Sequence, residues 1–190
     1  MTAPLVADPP GGTSQRGRWR LVPAGPVTVA SVLTVLAASV PGGDMPLLIA
    51  AVPAWLLSFC VWVACLAARR PRRGPLVCVL PLAGGLVFAL VAAEVPLRVA
   101  FAVSEPALTE YAASLPERER WVFQERQAGV FPIGRARRWN GITELTAEGS
   151  GGTLEQCGFA HVPAGRLQSL EASRITRLSG DWYATCTDFG

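Results

Sequence analysis

The sequence predicts a membrane α-helical protein with three transmembrane helices and a small C-terminal α+β domain on an antiparallel sheet of about four strands. Three observations predict it. Only 16% of the 190 residues are charged and 51% are apolar, against about a quarter charged in ordinary soluble domains. Three uncharged apolar runs fill the first half of the chain. From Val95 onward, ten arginines meet eleven acids, and from Val130 the apolar spacing changes from helical to alternating. The net charge of +3 therefore comes mostly from arginines beside the apolar runs, a topology signal. Nucleic-acid binding needs a basic stripe on a folded face, and the sequence gives no such stripe.

Residues 1–20 hold Pro9, Pro10, Gly11 and Gly12 without apolar periodicity, which reads as a disordered cytoplasmic tail. The membrane region covers 21–93, with spans at about 21–40, 46–68 and 75–93. Trp19 and three arginines precede the first run, as an interfacial anchor does. A cleaved signal peptide is the competing reading, because Ala37 and Ser39 have cleavage-like spacing. Pro41 and a run longer than the usual ~7–15 residues oppose it. PGGDMP at 41–46 is a turn composition. Pro53 should kink the second span, its freed carbonyl satisfied by neighbouring helices. RRPRRG at 69–74 is a basic loop that stays cytoplasmic. The N-terminus then lies inside, the PGGD loop outside, and everything after Ala93 outside. Ala83, Gly84 and Gly85 let helix backbones approach closely, within the bundle or across a homodimer seam through Gly84 and Gly85. No ionisable residue interrupts the three runs, so nothing marks an ion or proton path.

Residues 94–115 read as a helical stalk. Glu94 and Arg98 form an i, i+4 pair in the favourable order, and Pro96 allows a bend. Ser104, Glu105 and Pro106 look like a fresh helix start. Ala107, Leu108, Tyr111, Ala112 and Leu115 follow at helical spacing, and Pro116 ends the helix. Residues 116–190 form the extracytoplasmic domain. A polar helix is expected over 117–127, closed by Gly129. Val130, Phe131 and Ile133 open a strand, and Asn140-Gly141 is the strongest short hairpin signal. Ile142 and Leu145 lie on the return strand, GSGG at 149–152 is a turn, and TLEQCGFAHV at 153–162 a third strand. Residues 167–178 are ambiguous between helix and strand. Gly180-Asp181 leads into a last strand through Trp182, Tyr183, Thr185 and Thr187.

Of the five cysteines, Cys60, Cys65 and Cys78 lie in apolar spans, where cysteine acts as a small hydrophobe. Cys157 and Cys186 are an isolated pair in an oxidising space, which implies a disulfide. Redox catalysis would want C-x-x-C spacing. His161, the only histidine, has no HExxH or GxSxG around it and reads as structural. Glu144, Glu148 and Glu155 flank turns, but nothing selects two of them as a glycosidase pair. Arg135, Arg137 and Arg138 read as a solvated strand edge or as an attraction for anionic headgroups or an envelope polymer. No catalytic set, metal site or cofactor is implied.

FAVSEPALTEYA after the last span, AGVFPIG, CGFAHVPAG and GDWY together resemble a group of small three-span membrane proteins of high-GC actinobacteria with a C-terminal extracytoplasmic domain. The resemblance covers about half the chain and implies the same architecture; no activity comes with it. The expectation is an interaction protein, not an enzyme: a multi-pass anchor in the cytoplasmic membrane, in contact with lipid, displaying a disulfide-closed domain to another envelope protein or polymer. A ligand-binding sensor domain is the alternative, and an enzyme of unassigned class the third.

Overall fold

The computed structural model describes residues 24–67, 78–152 and 154–189. The expected N-terminal tail and the RRPRRG loop lie outside the described residues, as does the beginning of the first and third apolar runs. Among the described residues, four α-helices precede six strands.

The helices are α1 (Ala24–Ala37), α2 (Met45–Ala67), α3 (Val79–Ala92) and α4 (Val95–Ser114). Among the described residues, only α2 is by itself long and apolar enough to cross a bilayer; 11% of its Met45–Ala64 window is buried. A core helix of that composition would be covered on most sides. Helix α1, at 14 residues, reaches about 21 Å at ~1.5 Å per residue, and α3 has the same length; both fall short of a ~30 Å hydrocarbon core. Taken together, α3 and α4 make a second candidate, bent by 55° at their junction. The expectation of three complete spans therefore reduces, in the described residues, to one candidate span, or two with the bent pair. Helix α2 continues through Pro53. The Trp55 indole donates to the Thr34 hydroxyl at 3.0 Å, tying α1 to α2. Gly84 of α3 lies against the same indole, 3.8 Å from where a Cβ would stand.

The bend comes at Glu94, which takes a left-handed conformation (φ 55°) just before α4, with Pro96 in its first turn. Here the structure differs from the expected stalk. No new helix begins at Ser104; α4 runs unbroken through Pro106. Its face bearing Leu97, Phe101, Leu108, Tyr111, Ala112 and Leu115 is buried in the same apolar cluster as the sheet. Ser104 is fully buried, and its hydroxyl accepts the Val130 amide at 3.0 Å, so it serves a turn of the sheet and not a helix cap.

The strands are β1 (Arg118–Ala128), β2 (Phe131–Trp139), β3 (Ile142–Ala147), β4 (Glu155–His161), β5 (Arg174–Ser179) and β6 (Trp182–Asp188), in the order β1-β2-β3-β4-β6-β5. All neighbours are antiparallel. Two strands more than expected are present. The predicted polar helix over 117–127 is instead β1. Its Arg, Glu and Gln content favours helix in isolation, but pairing with β2 overrides that preference. Gly129 (φ +65°) opens the two-residue turn between them; a Cβ there would lie 2.4 Å from the Ser104 side chain. The ambiguous stretch resolves into a 3₁₀ turn (Leu167–Ser169) followed by β5. The Asn140-Gly141 hairpin forms as its dipeptide predicts, both residues at positive φ.

The core lies between α4 and one face of the sheet. Phe159 sits at its centre, its ring 4.6 Å from Phe131 and 5.7 Å from Phe101. Ile133, Ala136, Leu145 and Trp182 complete it. A smaller cluster of Ile142, Ala160 and Val162, with Trp139, Leu170 and Tyr183 against it, forms on the other face.

One joint links the helical hairpin to the sheet. The α1–α2 turn, PGGD, meets the β3–β4 turn, GSGG: the Gly151 amide donates to the Gly43 carbonyl at 3.0 Å, and Asp44 bridges to Ser150. A Cβ on Gly42 (φ +73°) would stand 2.2 Å from the Cys157 sulfur. The sequence marks both segments as turns, but not that they interlock.

Candidate interaction face

The face of the sheet opposite α4 carries the candidate site. Strand alternation sends Arg135 and Arg137 of β2 to this face, while Ala136 between them is buried in the core. Both guanidiniums stack on aromatic rings of the neighbouring β1 and, for Arg137, of the end of β2 itself. Arg137 lies 4.5 Å from the Trp121 ring centroid and 5.6 Å from Trp139. Arg135 lies 5.7 Å from both Trp121 and Phe123. Arg137 also donates to the Glu144 carboxylate at 2.5 Å, with both side chains largely covered. Arg135 donates instead to the neutral Gln156 side-chain carbonyl. One arginine is thus neutralised across the strand pair, and the other is held in place by a partner without charge.

Beyond these residues the face is rich in hydroxyls. Thr146, Thr185 and Thr187, with Leu170, Glu171 and Phe189, wall a cleft of about 270 Å³ that both arginines line. A second, open groove of about 450 Å³ runs from Phe123 and Glu125 to Glu148 and Ser150, sharing Arg135, Thr146 and Gln156. Ligand pockets usually enclose ~300–1,000 Å³ within mainly apolar walls with a few polar groups. These walls are mixed throughout, which suits a surface contact better than an enclosed small molecule.

The residues singled out by sequence separate on this frame. Cys157 and Cys186 face each other across β4 and β6 and are bonded, with Cα atoms 4.1 Å apart. Glu155 brings a carboxylate close to the two sulfurs, but a disulfide offers no thiolate to a metal, and Glu155 instead lies 3.9 Å from Arg174. His161 ends β4 with its ring 5.0 Å from Trp182, a packing position. Arg138 parts from the other two arginines and donates to the Leu115 carbonyl at 3.5 Å, pinning the end of α4. The expected solvated edge is corrected accordingly: β2 is an inner strand, covered by β1. Cys60 and Cys78 are free and exposed on the helices. Gly85 has open space where a Cβ would project.

Trp121 and Phe123 escape sequence reasoning because β1 reads as a helix, and Trp139 and Gln156, on strands that the sequence does predict, belong to no motif. The available signal is Trp121-Val122-Phe123, a β-forming triplet six residues before a Gly-first turn.

Tyr111, on the core side, is buried with its hydroxyl lacking a partner among the described residues. Burial raises its pKa above the ordinary 10.0, although the Arg126 guanidinium, 4.9 Å from the ring, pulls the other way.

No family model matches the chain, and no curated protein or solved structure matches it either.

Proposed function

We propose that this chain is a membrane-anchored interaction protein whose sheet face around Arg135, Arg137 and Trp121 binds another envelope component. The observation that carries this reading is the stacked Arg135, held by a neutral partner beside an ion-paired Arg137, on the sheet face opposite α4. Arginine and tryptophan are the residue types in which binding energy concentrates. Stacking fixes the guanidiniums before a partner arrives, so little side-chain freedom is lost on contact.

The anchor in this reading has three spans, with the N-terminus inside and the sheet domain outside, as in the actinobacterial group that the sequence resembles. The interlocked PGGD and GSGG turns support a common side for the helical hairpin's turn and the domain. The arginines at 16–20 and 69–73 support that side being external. A bonded cysteine pair fits an oxidising compartment. If α3 also meets a second copy, Gly85 is the free position, because Gly84 already packs on Trp55.

The test places a photo-crosslinking amino acid at Thr185 or Thr187 on the open face, and at Thr109 on α4 as reference, in native membranes. The expected result is one discrete adduct from the open face, lost in Arg135→Ala and absent from Thr109. Equal adducts from both faces, or none from the open one, sink the reading. Topology is checked with a membrane-impermeant maleimide on intact cells: Cys157 and Cys186 should label only after reduction. Labelling confined to lysed cells puts the domain inside and ends the proposal.

A further inference from the structure

Helix α4 has a second apolar stripe, on the side away from the sheet. Val95, Val99 and Val103 recur every four residues and are 37%, 58% and 69% exposed, while Leu97, Phe101 and Leu108 bury the opposite side. A core-packed helix normally turns polar residues to its outer side. Here the outer side is apolar only as far as Pro106; Thr109 and Glu110 follow, both exposed. The stripe begins where α3 ends, and the exposed Leu82, Leu86 and Phe88 of α3 precede it across the 55° bend.

We propose that the first half of α4 lies in the headgroup–acyl boundary of the bilayer, with Val95, Val99 and Val103 as the contact residues. The sheet domain is then held against the membrane surface and not raised on a stalk. This rests on the membrane-anchor reading above. Continuity decides the occupant: the stripe extends the exposed apolar surface of α3, which lies in lipid in the membrane-anchor reading, and an apolar face beside polar residues is what a helix lying in the interface presents. The Glu94–Arg98 pair, half-exposed at 3.5 Å, sits at the start, where a long arginine can carry its charge to the headgroups. Proline at 106 removes the amide that the Ala102 carbonyl would otherwise accept from, so that carbonyl needs water, which the headgroup region supplies and the hydrocarbon does not.

The test uses the full chain with Cys60, Cys65 and Cys78 replaced by serine; the bonded Cys157 and Cys186 take no label. Nitroxides are attached singly through Val99→Cys, Val103→Cys, Thr109→Cys and, as a lipid-facing reference, Val52→Cys on α2. The chains are reconstituted in phosphatidylcholine–phosphatidylglycerol vesicles, and collision with oxygen is compared with collision with a water-soluble nickel chelate. Several-fold oxygen preference at Val99 and Val103 over Thr109, approaching Val52, is expected. Nickel access at Val99 and Val103 equal to that at Thr109, with Val52 still lipidic, overturns the proposal alone. Water access at Val52 as well overturns the anchor beneath it. Spin–spin broadening between labels at Val103 identifies a second copy as the occupant and also overturns it.

Discussion

Beneath α4 the sheet presents Phe131, Ile133, Leu145, Phe159 and Trp182, all buried and packed on aliphatic and aromatic neighbours; on its other face the same strands present Arg135, Arg137, Glu144, Gln156 and three threonines. The alternation of a strand makes both faces from one stretch of sequence. The difference lies in what stabilises each. The covered face gains from removal of apolar area from water, in proportion to that area. The open face holds its shape by stacking and one ion pair, interactions that each contribute little to stability but fix geometry. Changes on the first face should therefore act on folding, and changes on the second on binding.

The largest effect should come from the centre of the covered face. Phe159→Ala removes a ring that touches Phe101 and Phe131 and should cost about 3–5 kcal/mol, read by thermal unfolding of the detergent-solubilised chain. A loss under ~1 kcal/mol would show that this face does not hold the domain together. Next comes the joint. Gly42→Ala forces a Cβ onto the Cys157 sulfur at positive φ and should cost about 2–4 kcal/mol, with slower closure of the disulfide on reoxidation. Replacing both Cys157 and Cys186 by serine opens a 29-residue separation and should cost about 3 kcal/mol; similar unfolding midpoints for the two proteins would locate the cross-link outside the cooperative unit.

On the open face, Glu144→Gln leaves Arg137 without its carboxylate and should cost only about 1–2 kcal/mol, since the glutamine carbonyl can still accept from the guanidinium. It should nonetheless weaken the crosslinked adduct more than Phe159→Leu does at matched folded fraction, and the reverse ranking would dissolve the distinction between the faces. The smallest effect belongs to Tyr111→Phe. Deleting a buried hydroxyl that has no partner among the described residues should leave stability at neutral pH unchanged or raise it by up to ~1 kcal/mol. The raised folded-state pKa means that Tyr111 contributes stability below about pH 10 that is lost as pH rises through the folded value. The variant should therefore unfold less steeply in alkali; an unchanged alkaline limb would place Tyr111 in contact with water.

Sequence reading reached the hairpin at Asn140-Gly141, the β4 and β6 strands, the cysteine pair and the apolar helices, because each is written in local residue types or a local period. It did not reach β1. Apart from Trp121-Val122-Phe123, the residues of β1 favour helix one by one, and their strand conformation depends on β2, which supplies both the backbone ladder and the two stacked arginines. The candidate face was lost with it, since Trp121 and Phe123 meet Arg135 only once β1 is a strand. Ser104 misled in the same way: followed by Glu105 and Pro106 it has the local chemistry of a cap, and only the approach of Val130 gives its hydroxyl another use.

The chain's own order of residues thus determines that much of its first half is too apolar for water, that its second half folds as helix and antiparallel sheet, and that two cysteines stand apart from the rest. These follow from composition and from periods of two and 3.6 residues, which need no knowledge of distant partners. Tertiary structure alone decides that α4 belongs to the domain core, that the PGGD turn locks onto the GSGG turn, that Arg138 parts company with Arg135 and Arg137, and that an outer valine stripe remains uncovered. Each of these joins residues well separated in sequence, and no local preference specifies which of the many compatible surfaces will meet.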